Sequence, residues 1–281
     1  MKIIKKTSEM QRFIEQLKHR GKKIGFVPTM GALHNGHLSL VEISRRKSDI
    51  TIVSIFVNPT QFAPNEDLAS YPRDLPGDIK KLEEAGADCV FAPAAAEIYD
   101  EPSEFWVLCD SPLTKTLEAA TRPSHFKGVT TVVSKLFNIV RPNIAVFGKK
   151  DYQQFVIIKK MVSELRYPIK IYGGKLIRDY DGLALSSRNK YLDSKQRKSA
   201  LNLYHTLKSI KASVKNGELD SHSLLTAAKK RLKNIEQFKL DYIQICERKT
   251  LTPVPVVTKG KSVILMAAFV GNVRLIDNME I

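Results

Sequence analysis

Through the first 150 residues, short uninterrupted apolar runs alternate with stretches whose apolar residues recur every three or four positions. The run over residues 23–29 predicts a strand, residues 36–45 a helix, and residues 50–58 a second strand. A strand covered on both faces reads as a continuous apolar run, so the second of these is expected deep in the structure. Strand, helix, strand is a parallel βαβ unit. The alternation goes on with a helix over 78–85, a strand over 87–91, an amphipathic helix over 129–140 behind the polar stretch 122–128, and a buried strand over 144–147. Nearer the start, Ser8-x-x-Gln11 resembles a capping box opening a polar helix. Past residues 174–177 the order changes. Helices over 194–214 and 221–235 precede strands over 241–247, 263–269 and 273–277, the last two joined by the two-residue hairpin turn Gly271-Asn272. The pattern predicts an α/β chain: a doubly wound parallel sheet over 1–176 and a smaller C-terminal α+β domain over 177–281.

A length of 281 residues suits two such domains, each able to bury a core. Hydrophobic content of 43% with 26% charged residues is that of a globular chain, and no apolar run is long enough to span a bilayer, so no membrane partner is expected. The first residues lack the apolar stretch of a signal peptide. Three scattered cysteines, Cys89, Cys109 and Cys246, offer neither a disulfide framework nor a zinc knuckle, which points to the reducing cytoplasm. The net charge of +16 changes the picture only in part. A nucleic-acid binder gathers its excess on one arm or face, whereas here +9 lies from Arg178 onward and +7 before it. Lys229-Lys230-Arg231 reads as a solvated helix face, so no nucleic-acid partner is expected. A basic surface also draws small polyanions such as a nucleoside triphosphate.

The candidate chemistry centres on Phe26-Val27-Pro28-Thr29-Met30-Gly31-Ala32-Leu33-His34-Asn35-Gly36-His37-Leu38, where the first strand runs through a tight turn into a helix. Gly31 and Gly36 let the backbone turn sharply, and the amides opening the helix are expected to point outward at a phosphate. His34 and His37, three apart, are expected to share one face. A zinc site would need further ligands and no Cys, Asp or Glu lies in the stretch, so no metal ligand set is expected. The His-x-Gly-His pattern resembles the signature of the nucleotidyltransferase and class I aminoacyl-tRNA synthetase superfamily, whose members act at the α-phosphate of a nucleotide.

Further polar stretches fall at the ends of predicted strands. Asn58-Pro59-Thr60-Gln61-Phe62 leaves the carboxyl end of the second strand, where open parallel sheets bind ligands, and the Asn-Pro turn delivers the Gln61 amide. Gly148-Lys149-Lys150-Asp151 suits phosphates and a ribose, the lysine as a mobile point charge and the carboxylate as an acceptor. Ser186-Ser187-Arg188 reads either as a helix N-cap or as a clamp on outer phosphates. Gly260-Lys261-Ser262 looks like the end of a P-loop, but Pro255 stands where its first glycine is needed and the segment enters a strand, so it is assigned no function.

Taken in order, these motifs resemble the pantothenate synthetases, or pantoate-beta-alanine ligases, over nearly the whole chain. The resemblance rests on residues 28–37, on Phe56-Val57-Asn58-Pro59-Thr60-Gln61-Phe62, on Arg122-Pro123 with His125-Phe126 and Gly128-Val129, and on Lys135-Leu136-Phe137-Asn138. Lys150-Asp151-Tyr152-Gln153-Gln154 and Asp181-Gly182-Leu183-Ala184 with Ser186-Ser187-Arg188-Asn189 complete it. It implies a Rossmann-like first domain, a second domain closing over the phosphates, and a cytoplasmic homodimer. The implied activity is a Mg²⁺- and ATP-dependent ligase that makes pantoyl adenylate and pyrophosphate, then lets β-alanine displace AMP. By the resemblance, Met30, Gly31, Ala32, Leu33, His34, Asn35, Gly36 and His37 bind ATP, with His37 the proton donor or charge stabiliser at the reacting phosphate. Lys150, Ser186, Ser187 and Arg188 hold the phosphates. Gly148, Asp151 and Ile177 border the adenosine, with Lys149 and Leu185 in the same ATP set. Gln61 and Gln154 read pantoate's hydroxyls and carboxylate, and Arg122 and His125 join the substrate set. Where the family usually has Gly-Glu-Lys-Asp this chain has Gly148-Lys149-Lys150-Asp151. Two competing readings are a nucleotidyltransferase acting on a phosphorylated acceptor and a tRNA-charging or RNA-binding protein.

Overall fold

The apolar runs of the first half become the middle of a six-stranded parallel sheet. The structure, a computed structural model, describes residues 1–64 and 66–281 and divides into two compact units, residues 1–149 with 154–175 and residues 150–153 with 176–281. In chain order the first unit runs β1 (Lys2–Ile4), α1 (Thr7–His19), β2 (Ile24–Thr29), α2 (Asn35–Arg45), β3 (Ile50–Ile55), α3 (Leu75–Glu84), β4 (Cys89–Phe91), α4 (Glu118–Thr121), α5 (His125–Val140) and β5 (Ile144–Gly148). After β5 come α6 (Tyr152–Glu164), whose first residues belong to the second unit, and β6 (Lys170–Gly174). The strand order is β1-β4-β3-β2-β5-β6, every pair parallel. The chain therefore builds outward from β2 through β3 and β4, then restarts on the other side with β5 and β6. The reversal opens a crevice at the carboxyl ends of β2 and β5, the place where such sheets bind ligands.

Pleating sorts the core. Val27 and Val53 face Leu40 and Val41 of α2 and Leu82 of α3, whereas Phe26, one residue out of phase, meets Phe137 of α5 edge-on at 6.5 Å between ring centroids.

Where the elements differ from the sequence pattern, the reason is local. The strands β1 and β6 give little apolar signal because both lie at sheet edges; only Ile4 of β1 and Gly174 of β6 are buried. Strand β3 stops at Ile55, since Asn58 caps a 3-10 turn over Pro59–Gln61 by accepting from Thr60 N. Helix α5 starts at His125, four residues before its apolar periodicity, because its first turn is packed on that loop: a Cβ at Gly128 would lie 2.4 Å from Thr60 O. Ser8 caps nothing. Helix α1 begins at Thr7 behind Lys6, which makes no side-chain cap, and the opening amide of Thr7 is taken by Glu97 Oε2 at 2.9 Å, a carboxylate ninety residues away meeting the positive helix end.

The second unit holds α7 (Ser194–Lys215) and α8 (Ser221–Leu232) with an antiparallel sheet of β7 (Phe238–Glu247), β8 (Ser262–Val270) and β9 (Val273–Glu280), in the order β7-β8-β9. Leu203, Leu207 and Ile210 of α7 pack with Ile264, Met266 and Ala268 of β8 in its core. Gly271, left-handed at φ +55°, and Asn272 make the β8–β9 turn. A register shift between Leu240 and Tyr242 lets β7 begin three residues before the predicted strand. Among the described residues no helix is long and apolar enough to cross a membrane.

Candidate active site

At the end of β2 the chain enters the left-handed region twice in succession, at Gly31 (φ +82°) and Ala32 (φ +50°). An alanine there carries strain of about 1–2 kcal/mol, and Asp78 of α3 holds it in place. The Asp78 side chain is almost wholly buried, and its Oδ2 and Oδ1 accept from the amides of Ala32 at 2.7 Å and Leu33 at 2.8 Å. Lys81, one turn along α3, donates to Leu33 O at 2.9 Å. Thr29 completes the brace, accepting from Gly31 N while donating to Ser54 O.

The expectation that the amides of this turn point outward is met only in part. Ala32 and Leu33 face Asp78, Gly36 N donates to His34 Nδ1 at 3.1 Å, and His34 N donates to His37 Nδ1 at 3.4 Å. Gly36 keeps helical backbone in the first turn of α2. The two histidines form a reciprocal cap on α2 and share a face as expected, their rings 4.1 Å apart and tilted by 35°. Each Nδ1 accepts from a backbone N–H, so a neutral ring carries its proton on Nε2.

The loop after β3 is organised by Asn58, which is buried. Its Oδ1 accepts from Tyr99 OH at 2.8 Å and Thr60 Oγ1 at 3.0 Å, and its Nδ2 donates to Gly128 O and to Gln61 Oε1 at 3.1 Å. Gln61 in turn donates Nε2 to Met30 Sδ at 3.0 Å, which joins this loop to the turn after β2. One N–H and one lone pair of that amide are left for a ligand.

Arg122 and His125 serve the same loop. His125 Nδ1 donates to Gln61 O at 2.9 Å, so its Nε2 accepts from Arg122 Nη1 at 3.3 Å, and the ring is held in one tautomer. Arg122 forks onto Glu66, with Nη2 to Oε2 at 2.7 Å, and lies 3.9 Å from Glu118. Burial pushes Glu66 up, but the hydrogen bonds and charge of Arg122 hold it below the ordinary carboxylate range. Burial, then the Arg122 charge, lowers His125 to about 4.

A histidine that is neutral when folded and ordinary when unfolded gives stability that is complete above pH 6.5 and is lost as pH falls toward 4, because the unfolded chain takes up the proton first. The expected loss from this group is about 3 kcal/mol over that window. Denaturant midpoints from pH 7 to pH 4 measure it, and His125→Asn is expected to flatten the slope; an equal slope in both proteins would remove His125 as its source.

Gln154 sits half-buried on the first turns of α6, and Gly148 closes β5. In the second unit, Lys150 Nζ lies 3.5 Å from Asp151 Oδ1. Residues 177–185 fold back on themselves, with Leu185 N donating to Ile177 O at 3.0 Å, which sets Ile177 beside Leu185. Ser186 caps a 3-10 turn over Ser187–Tyr191 by accepting from Arg188 N. Asp78, Lys81, Glu66 and Tyr99 escaped the sequence reading. Of these Asp78 and Lys81 fall in a predicted element, the 78–85 helix, and nothing in the local sequence of either points to Ala32 or Leu33. Among the described residues no group of three His, Cys, Asp or Glu is placed to hold a metal ion.

Comparison with known proteins agrees with this geometry. The family model described as pantoate-beta-alanine ligase matches residues 2–280. A pantothenate synthetase of Thermotoga petrophila is 47% identical over 279 residues, covering 99% of each chain. The crystal structure of the pantothenate synthetase from Thermus thermophilus superposes with a TM-score of 0.94 at 41% identity, over 100% of this chain and 99% of that one. A pantoate-beta-alanine ligase from Francisella tularensis, described as complexed with beta-gamma ATP and β-alanine, gives 0.84 at 37% identity over 100% and 97%. With residues 2–280 matched by the family model, and with a parallel sheet that superposes on that of a pantothenate synthetase, the chain belongs to the pantoate-beta-alanine ligase family.

Proposed function

We infer that this protein condenses pantoate with β-alanine to pantothenate, consuming ATP and releasing AMP and pyrophosphate through a pantoyl adenylate. The observation that carries the reading is the alignment of three loops on adjacent parallel strands of a family member. Gln61 follows β3, the His34–His37 pair follows β2, and Gly148 and Gln154 flank the β5 to α6 turn.

Pantoate's carboxylate is already ionised, so adenylation needs no protein nucleophile. The carboxylate oxygen bonds to the α-phosphorus, the bond to the bridging oxygen breaks, and pyrophosphate leaves. Catalysis then consists of alignment and of stabilising charge on phosphate oxygens. His37, through Nε2–H, acts at the reacting phosphate with His34 beside it. Lys150, Ser186, Ser187 and Arg188 hold the phosphates, and Gly148, Lys149, Asp151, Ile177 and Leu185 border the nucleotide. Gln61 and Gln154 bind pantoate, and Arg122 and His125 hold the Gln61 loop in place. In the second step the neutral amine of β-alanine attacks the acyl carbon, the acyl carbon–oxygen bond breaks, AMP leaves with its electron pair, and the nitrogen gives up a proton to water. Mg²⁺ would neutralise phosphate charge when bound. The same reading extends to a cytoplasmic homodimer.

Pyrophosphate exchange into ATP, run with pantoate alone, with a phosphorylated acceptor and with an amino acid, tests the activity. Only pantoate is expected to support it, and exchange with either alternative but not pantoate would overturn the reading. In the same assay Gln61→Ala and Gln154→Ala are each expected to raise the pantoate requirement about ten- to a hundredfold while sparing ATP, because a hydroxyl-binding amide is worth roughly 1–3 kcal/mol. Variants that raise the ATP requirement instead would assign both glutamines to the nucleotide.

A further inference from the structure

The four residues 150–153 leave the first unit and join the second, where β9 holds them at two points. Asn278, buried at 6% exposure, donates Nδ2 to Lys150 O at 2.8 Å. Two residues on and therefore on the same face of the strand, Glu280 shares Tyr152 OH with Arg248, each at 3.4 Å.

The neighbouring residue of β9 holds a second segment. Asp277, 2% exposed, takes a fork from Arg178, Nη1 to Oδ2 at 2.7 Å and Nη2 to Oδ1 at 2.9 Å. Arg178 also donates to Gly182 O at 3.0 Å and to Asn278 O at 3.3 Å, and its guanidinium lies over the Tyr204 ring at 4.3 Å. Gly182 is left-handed at φ +99°, and a Cβ there would lie 2.3 Å from Tyr204 Cδ1, so the fold-back over 177–185 is closely seated. Asp277 Oδ1 also accepts from Asn278 N at 2.7 Å, which couples the two anchors to each other.

We propose that Asp277 and Asn278, on the edge strand β9, are positioning residues for adenylation that fix Lys150 and the Ile177–Arg188 segment in one frame. The proposal rests on the reading that Lys150 and residues 186–188 hold the phosphates. A lysine ammonium is a point charge on a flexible stem, so where it can reach is set by where its backbone is pinned. Neither residue need touch ATP. A displacement on the order of 1 Å at a group aligning reactants costs up to about a hundredfold in rate, and the part-buried hydrogen bond to the Lys150 carbonyl, with the Tyr152 tie, opposes such a displacement.

The test is a double-mutant cycle on pantoyl adenylate formation in single turnover, with ATP and pantoate affinities and thermal unfolding measured alongside. Asn278→Leu keeps the volume and removes the donor. It is expected to slow adenylation about ten- to a hundredfold with the pantoate requirement unchanged, and to add less than about twofold when Lys150 is already alanine, since the Asn278 side-chain amide then has no ammonium left to position. Tyr152→Phe loosens the second tie without disturbing packing. It is expected to slow adenylation by roughly threefold, and that loss too should vanish in the Lys150→Ala background. A normal rate in both single variants, or an undiminished loss in the Lys150→Ala background, overturns the positioning role alone. A normal rate in Lys150→Ala itself overturns the phosphate reading of Lys150 and the proposal with it.

Discussion

His37→Ala is expected to bind ATP nearly as the parent chain does and to form pantoyl adenylate about a hundredfold or more slowly, a loss of roughly 3 kcal/mol of transition-state stabilisation. The two effects separate because charge grows on the α-phosphate oxygens only as the carboxylate adds. A donor aimed at that charge contributes little to the ground state. The reciprocal cap aims the donor: with Nδ1 accepting from His34 N, the ring's proton lies on Nε2. The same hydrogen bond complicates the variant, since losing a cap costs about 1 kcal/mol of stability. His37→Asn, which can still accept from the His34 amide, therefore serves as control. It is expected to regain stability without regaining rate. Single-turnover formation of the adenylate decides the matter, and a His37→Ala protein with parental adenylation would remove His37 from the chemistry.

Much of the candidate site is legible in the order of residues because backbone geometry ties it to local pattern. A turn between a buried strand and a helix must lie at the carboxyl edge of a parallel sheet, and histidines three apart at a helix start must share a face. That reasoning places His34, His37 and Gln61 without knowledge of the fold. It fails where a contact spans the chain. Asp78 reaches Ala32 from forty-six residues away and Glu97 caps Thr7 from ninety. Either carboxylate, taken by itself, is an ordinary polar residue. The stretch 122–128 misleads for the opposite reason. His125 and Gly128 depart from helical periodicity because they face the Gln61 loop, so the first turn of α5 reads as loop. Edge strands β1 and β6 are missed because a strand with one neighbour needs little apolar surface.

The brace on the nucleotide turn leads to the other large effect. Asp78→Asn is expected to cost about 3 kcal/mol of stability, and to slow adenylation by at least tenfold, on the order of what a displaced aligning group costs. An asparagine of the same shape can accept from one of the two amides, but its NH₂ then opposes the other. A buried N–H is left without a partner where a charge-assisted bond had been. The strain at Ala32, φ +50°, then has less to hold it, and relaxation carries His34 and His37 away from their common face. Loss of a negative charge near a bound triphosphate would by itself favour ATP binding and would not slow adenylation, whereas displacement of His34 and His37 would slow it. The Ala32→Gly substitution distinguishes strain from electrostatics. Glycine accepts a left-handed backbone, so in the Asp78→Asn background it is expected to recover about 1 kcal/mol and part of the rate. Denaturant unfolding and single-turnover adenylation on the four proteins supply the comparison. If Asp78→Asn unfolds and reacts as the parent does, or if Ala32→Gly recovers nothing, Asp78 is not what holds the turn.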